Sequence, residues 1–213
     1  TYEGDVQFMY TYTLNLNTSF TGDDNLYTRI KTGNHSSWSK TKSPYNTYLS
    51  SGNGNGDVLE VDKLWYTTPV GENFTFTVGP KIENYYMHAT TPSIYQPVLK
   101  AFTLGGNAAA YGASTSPGAG IAYTADNGFA ISSNITSKNP VFADTKQSWA
   151  TQVGYTKPTY SVSAIVNLKY NGWTDGYFQS ADGTARPGDG NSTNIGLRGW
   201  WRPSNPDTAM PSV

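Results

Sequence analysis

Connections in this chain alternate strictly in length. Short turns fall at residues 21–24, 70–73, 125–128 and 157–159, and long polar connections lie between them at 33–57, 80–120, 137–146 and 171–193. In an up-and-down antiparallel meander every second connection sits at the same rim, so this parity predicts one tight rim and one elaborate rim. Barrels of the outer-membrane type are built that way. A soluble sandwich of two sheets obeys no such rule.

The segments between the connections have a period of two. Val6, Phe8, Tyr10, Tyr12, Leu14 and Leu16 fall on one side, opposite Gln7, Met9, Thr11, Thr13, Asn15 and Asn17, and only Met9 breaks the alternation. Between residues 160 and 170, Tyr160, Val162, Ala164, Val166, Leu168 and Tyr170 oppose Ser161, Ser163, Ile165, Asn167 and Lys169, with Ile165 out of place. Shorter versions occur at 26–32, 74–81, 129–136 and 194–202. Successive side chains of a strand point to opposite faces, so each segment has one apolar wall and one polar wall. About nine strands are expected. Aromatic side chains gather near strand ends, as at Tyr10, Tyr12, Tyr160, Tyr170 and Trp201, where a membrane barrel carries its interfacial girdles. The implied fold class is all-β, a transmembrane antiparallel up-and-down β-barrel, with residues 1–213 as part of a single barrel domain.

Composition narrows the alternatives. With 22 Gly, 12 Pro, 16 Tyr and 6 Trp in 213 residues, long helices are excluded. Charged residues are 14% and the formal net charge is -1, which argues against nucleic acid as a partner. The absence of Cys removes disulfides, thiolate metal sites and Cys nucleophiles, and His35 and His88 are too few for a His-based metal centre. No metal or cofactor is expected. No apolar run approaches the roughly 20 residues of a spanning helix. Residues 1–10 lack the basic and apolar regions of a signal peptide, so the chain reads as mature or as a fragment.

Among the charged residues inside predicted strands, Arg29, Lys31, Lys81, Lys169, Arg198 and Arg202 share the phase of the polar face, joined by the acidic Glu60 and Asp62. In a membrane barrel that face lines the pore, because a charge at mid-bilayer on the lipid face costs about 2 to 4 kcal/mol. A net positive lumen is predicted. If Glu60 and Asp62 face inward, Lys63 points outward and must sit near an interface where its stem can snorkel. The connection over 80–120 mixes small residues with Tyr85, Tyr86, Tyr95, Lys100 and Phe102, and is expected to fold inward as a constriction. Glu60 and Asp62 at i and i+2 also share a strand face, as paired carboxylates of a glycosidase would. Leu64 and Trp65 stand where such enzymes carry a third carboxylate, so no catalytic residue is assigned.

Three stretches carry a resemblance. They are Leu14-Asn15-Leu16-Asn17-Thr18-Ser19-Phe20-Thr21-Gly22 with the segment 26–34; Glu60-Val61-Asp62-Lys63-Leu64-Trp65-Tyr66 through Pro69-Val70-Gly71 to residues 74–81; and Pro92-Ser93-Ile94-Tyr95 with the small-residue run to Gly120. Together they resemble the cyanobacterial outer-membrane porins related to the carbohydrate-selective porin family and often labelled iron-uptake porins. The resemblance covers residues 14 to about 120. It implies a homotrimeric β-barrel of about 16 strands in the outer membrane, in contact with its lipid, passing small solutes and inorganic ions by diffusion. It further implies an N-terminal S-layer-homology domain that holds peptidoglycan; neither that domain nor the remaining strands are expected within this chain. The alternative is a secreted β-sandwich that binds carbohydrate through exposed Trp and Tyr.

Overall fold

The structure is a computed structural model and describes residues 6–35, 49–91, 94, 97–99, 102, 104, 107–112, 115–138, 145–171, 173 and 191–203. Nine strands form one sheet: β1 (Thr11–Thr18), β2 (Asn25–Gly33), β3 (Glu60–Val70), β4 (Phe74–Ile82), β5 (Ser116–Thr124), β6 (Phe129–Ser137), β7 (Gln147–Lys157), β8 (Tyr160–Tyr170) and β9 (Ser192–Trp201). They pair in sequence order, and each neighbouring pair is antiparallel. The sheet is open, with β1 and β9 at its edges. Among the described residues, helix is confined to a 3-10 turn at Asn84–Met87 and a single α-turn, α1, at Ala108–Tyr111.

The tight rim is made by short turns whose chemistry sits in the sequence. Between β5 and β6 the chain reverses through Gly128, which takes φ of 97°, a region closed to most side chains. A Cβ there would also lie 2.3 Å from the Thr156 carbonyl oxygen, which belongs to the neighbouring β7. Between β1 and β2, Asp24 Oδ1 accepts from the Ser19 hydroxyl at 2.6 Å and from the Phe20 and Thr21 amides at 2.9 and 2.8 Å. These donors hold the Asp24 carboxyl well below the usual carboxylate range.

Burial along the strands is inverted relative to a sheet in water. On β7, Ser148, Ala150, Gln152 and Gly154 are buried, whereas Trp149, Thr151 and Val153 are exposed. On β6, Ala130, Ser132, Asn134 and Thr136 are buried and Ile131 is exposed. The small and polar face is covered by residues 84–90 and 107–112, which lie between β4 and β5. The open face carries Leu14, Leu16, Phe76, Val78, Ile121, Ile131, Val153, Val162, Val166 and Leu197, all exposed. Ile165, the residue out of phase in β8, belongs to the covered face, where it packs with Ala110, Tyr111 and Ala150. Its apolar side chain fits because α1 lands there.

An aromatic row borders the open face at the tight rim. Phe74 faces Tyr123 with ring centroids 5.0 Å apart, and Tyr155 lies 6.3 Å from Tyr160. Ladder pairing places Phe129 beside Tyr155 and Tyr160 beside Trp201.

Three expectations from the sequence are corrected. The first strand begins at Thr11, because its partner β2 ends opposite it at Gly33. Val6 and Phe8 are more than nine-tenths exposed, and the Asn34 side chain holds the segment by accepting from the Tyr10 amide at 2.8 Å. Lys63 points to the covered face, not outward. Arg29 pairs with Lys63 and Ile30 with Val61, so β3 carries Asp62 as an extra bulged residue that reverses the phase. Lys81 leaves the polar phase for the same reason. Gly79 pairs with Gly118 and Ile82 with Ser116, so β4 bulges around Pro80, which has no N–H to give a ladder, and Lys81 turns to the open face beside Leu64.

Candidate functional site

The covered face is a polar surface on which the described residues 84–90 and 107–112 lie. Glycines clear the path. A Cβ on Gly154 would stand 2.3 Å from Thr90 Oγ1, one on Gly120 3.1 Å from Met87 Cβ, and one on Gly196 3.0 Å from Ala110 Cβ. Each close approach lets the crossing segment lie against strand backbone.

Charged and aromatic groups fix the side nearest β2 and β3. Lys63, 2% exposed, donates to Glu83 Oε1 at 2.8 Å and to the Thr115 hydroxyl, which itself donates to Glu83 at 3.0 Å. This closes a triad at the foot of the crossing segment, and its satisfied hydrogen bonds are what make so buried an ammonium tolerable. Arg29 binds Asp62 at 2.5 Å and donates to the Tyr86 hydroxyl at 3.1 Å. Tyr86 packs 4.6 Å from Trp65 and 4.2 Å from Tyr85, and Trp65 stacks on Tyr27 at 4.2 Å. Burial and the nearby Glu83 carboxylate push the Tyr85 phenol far up, so it stays neutral.

Uncharged amides fix the side nearest β6 to β8. Asn84 Nδ2 donates to Asn134 Oδ1 at 2.8 Å, and the Thr136 hydroxyl donates to Asn84 Oδ1 at 3.0 Å. Gln152 grips Thr90 through two bonds of 2.9 Å, accepting from its amide and donating to its carbonyl. Asn167 donates to the Ala110 carbonyl at 2.9 Å and accepts from Ser148 at 2.8 Å. His88 is buried with Nδ1 3.1 Å from Asn134 Nδ2, and its ring meets Tyr111 edge-on at 5.6 Å. Burial lowers its pKa to about 4, so the ring is neutral near pH 7.

Of the sequence-predicted lining residues, Arg29, Lys31, Lys169 and Arg198 keep the phase of the covered face, in register with ladder partners that share it, whereas Arg202 follows the end of β9 and is exposed. Arg198 sits 4.9 Å over the Tyr111 ring and donates to the Leu104 carbonyl, while Arg202 donates to the Pro158 carbonyl at 2.7 Å. Glu60 pairs across the ladder with Lys31, whereas Asp62 occupies the bulge and Lys81 the opposite face. In the crossing segment, Tyr85 and Tyr86 are half-buried and Phe102 is exposed; Tyr95 and Lys100 lie outside the described residues. Sequence reasoning misses Asn84, Thr90, Asn134, Gln152 and Asn167, which hold the segment down. Their signal is the run of uncharged polar residues and glycines in the covered phase of β5 to β9.

No family model and no solved structure matches the chain. It is similar to the uncharacterized protein sll0772 of Synechocystis sp., with 34% identity over 77 residues. The match covers 36% of this chain and 14% of that protein, so the similarity spans about one seventh of the relative's length.

Proposed function

We propose that this chain is part of an outer-membrane porin, a β-barrel that lets small solutes and inorganic ions diffuse passively. The observation that carries this reading is the inversion of the two faces: from β5 to β8 small and polar side chains lie under cover, while large apolar side chains stand exposed on every strand but β2. A contiguous apolar surface of that extent has no place in water, whereas lipid is its natural solvent. The 11-residue β8 is about 33 Å long at about 3.3 Å per residue, and tilted by about 40° it stands about 25 Å high, the height of the apolar band in such barrels. The barrel closes with further strands between β1 and β9, and assembles as a homotrimer. The connection between β4 and β5, whose described residues 84–90 and 107–112 lie on the polar face, is its constriction. Arg29, Lys31, Lys169 and Arg198, basic side chains in the phase of that face, give the lumen a character that favours anions. A secreted carbohydrate-binding sandwich would need a second sheet on the apolar face, and the described residues build a single sheet.

Reconstitution of the detergent-extracted protein in a planar bilayer, with a salt gradient across it, tests this. Stepwise openings with an anion-selective reversal potential are expected. A folded, inserted protein that carries no current contradicts the reading, and cation selectivity contradicts the basic lumen.

A further inference from the structure

Asn134 on β6 decides where the proton of His88 sits. Its side chain is pinned in one orientation by Asn84: Oδ1 accepts from Asn84 Nδ2 at 2.8 Å, and Nδ2 donates back to the Asn84 carbonyl at 3.4 Å. Thr136 holds Asn84 in turn by donating to its Oδ1 at 3.0 Å. Asn134 Nδ2 also points at His88 Nδ1 from 3.1 Å, and an amide nitrogen only donates, so Nδ1 accepts. The ring is therefore neutral, with its proton on Nε2. That nitrogen is buried and has no hydrogen-bond partner among the described residues. Turning Asn134 over to suit a second proton would set its amide against Asn84 Nδ2 and its oxygen against the Asn84 carbonyl.

The surroundings do not welcome an imidazolium. β6 faces the ring with Asn134, flanked by Ser132 and Thr136, and none of the three titrates. Residues 107–112 present Tyr111, met edge-on at 5.6 Å, and over the Tyr111 ring at 4.9 Å stands Arg198 of β9, a like charge. On the ring's own segment Glu83 is bound by Lys63 at 2.8 Å, and burial keeps the Tyr85 and Tyr86 phenols neutral. The Tyr111 backbone favours the charged ring, but burial outweighs it. Beside His88, the Ala89 amide donates to the Ser132 hydroxyl at 3.0 Å and the Thr90 amide to Gln152 at 2.9 Å.

We propose that His88 is an acid-operated latch on residues 84–90: a proton taken up at Nδ1 sets N–H against N–H, expels the ring and frees the segment from the sheet. Where the segment narrows a pore, acid widens it; that consequence rests on the porin reading, and the latch itself does not. A released ring regains the ordinary pKa of 6.5, whereas the latched ring titrates near 4. The released state therefore binds the extra proton between those values, and its population relative to the latched state rises about twentyfold from pH 7 to pH 5.

Hydrogen–deuterium exchange of the full chain in detergent, with times scaled for the intrinsic pH dependence of exchange, tests this. Protection of the Ala89 and Thr90 amides is expected to fall about twentyfold between pH 7 and pH 5, while the amides of β7 keep theirs. His88→Gln, whose side-chain oxygen can accept from Asn134 and takes up no proton, should hold the segment equally at both. Asn134→Asp gives the imidazolium an acceptor and should suppress most of the loss. Unchanged protection in the native chain overturns the proposal, as does a loss that β7 shares in full, or one that either variant retains at native size. Single-channel recording separates the latch from the pore: a chain whose segment responds to acid but which carries no current supports the latch and contradicts the porin reading.

Discussion

The two faces of this sheet solve opposite problems with the same backbone. On the covered face polar side chains meet the crossing segment, and buried charges occur where a partner is built in, as with Lys63, Glu83 and Thr115. On the open face the strands present apolar side chains that the described residues leave exposed, and hydroxyls that appear there satisfy one another, as Ser133 and Thr151 do at 3.0 Å. Water would invert these preferences. The contrast teaches that hydrophobic burial within the chain does not carry this fold; hydrogen bonding holds one face, and on the proposed reading lipid covers the other.

Four perturbations break or sharpen that contrast. The largest effect is expected from Lys63→Met, which leaves Glu83 in a largely dry site and costs about 4 kcal/mol, read from denaturant unfolding in vesicles. Adding Glu83→Met should restore most of the loss, since the pair then disappears together. On the open face, Val153→Arg should cost about 3 kcal/mol in a bilayer. A near-neutral outcome for that variant would mean the face meets water.

Acid separates the faces next. The pKa of His88 falls from 6.5 to about 4 on folding, so the unfolded chain binds the extra proton between those values. Stability is therefore complete above about pH 6.5 and declines as pH falls to about 4, a loss of about 3 kcal/mol at most. His88→Gln should flatten that part of the pH profile. A His88 ring that titrates near 6.5 by NMR contradicts the buried placement. The smallest effect belongs to the aromatic row, where Tyr123→Ala should cost about 1 kcal/mol by removing its packing on Phe74.

Much of this arrangement is legible in the sequence because it is periodic. The rims follow from connection length, and the faces of β7 and β8 from a period of two that the ladder preserves from Gln147 to Tyr170. Bulges are not legible in this way. An inserted residue shifts the phase of every later residue in the strand without changing composition, so Lys63 and Lys81 both exchange faces. Pro80 is the one visible hint, since a residue with no N–H interrupts a ladder. The landing of the crossing segment is hidden differently. Asn134, Gln152 and Asn167 look like ordinary wet-face residues until Gly120, Gly154 and Gly196 are seen to leave room above the sheet for another stretch of backbone.

The central claim is that the open face meets lipid while the covered face does not. A chain without Cys permits clean single-site labelling. Nitroxides placed by Thr151→Cys and Val153→Cys on the open face, and by Ser161→Cys and Ser163→Cys on the covered face, report collision rates with oxygen from the bilayer and with a water-soluble nickel chelate. The account predicts high oxygen and low nickel accessibility at Thr151 and Val153, with the reverse ranking at Ser161 and Ser163. Nickel reaching Thr151 and Val153 as readily as it reaches exposed loop positions would contradict it.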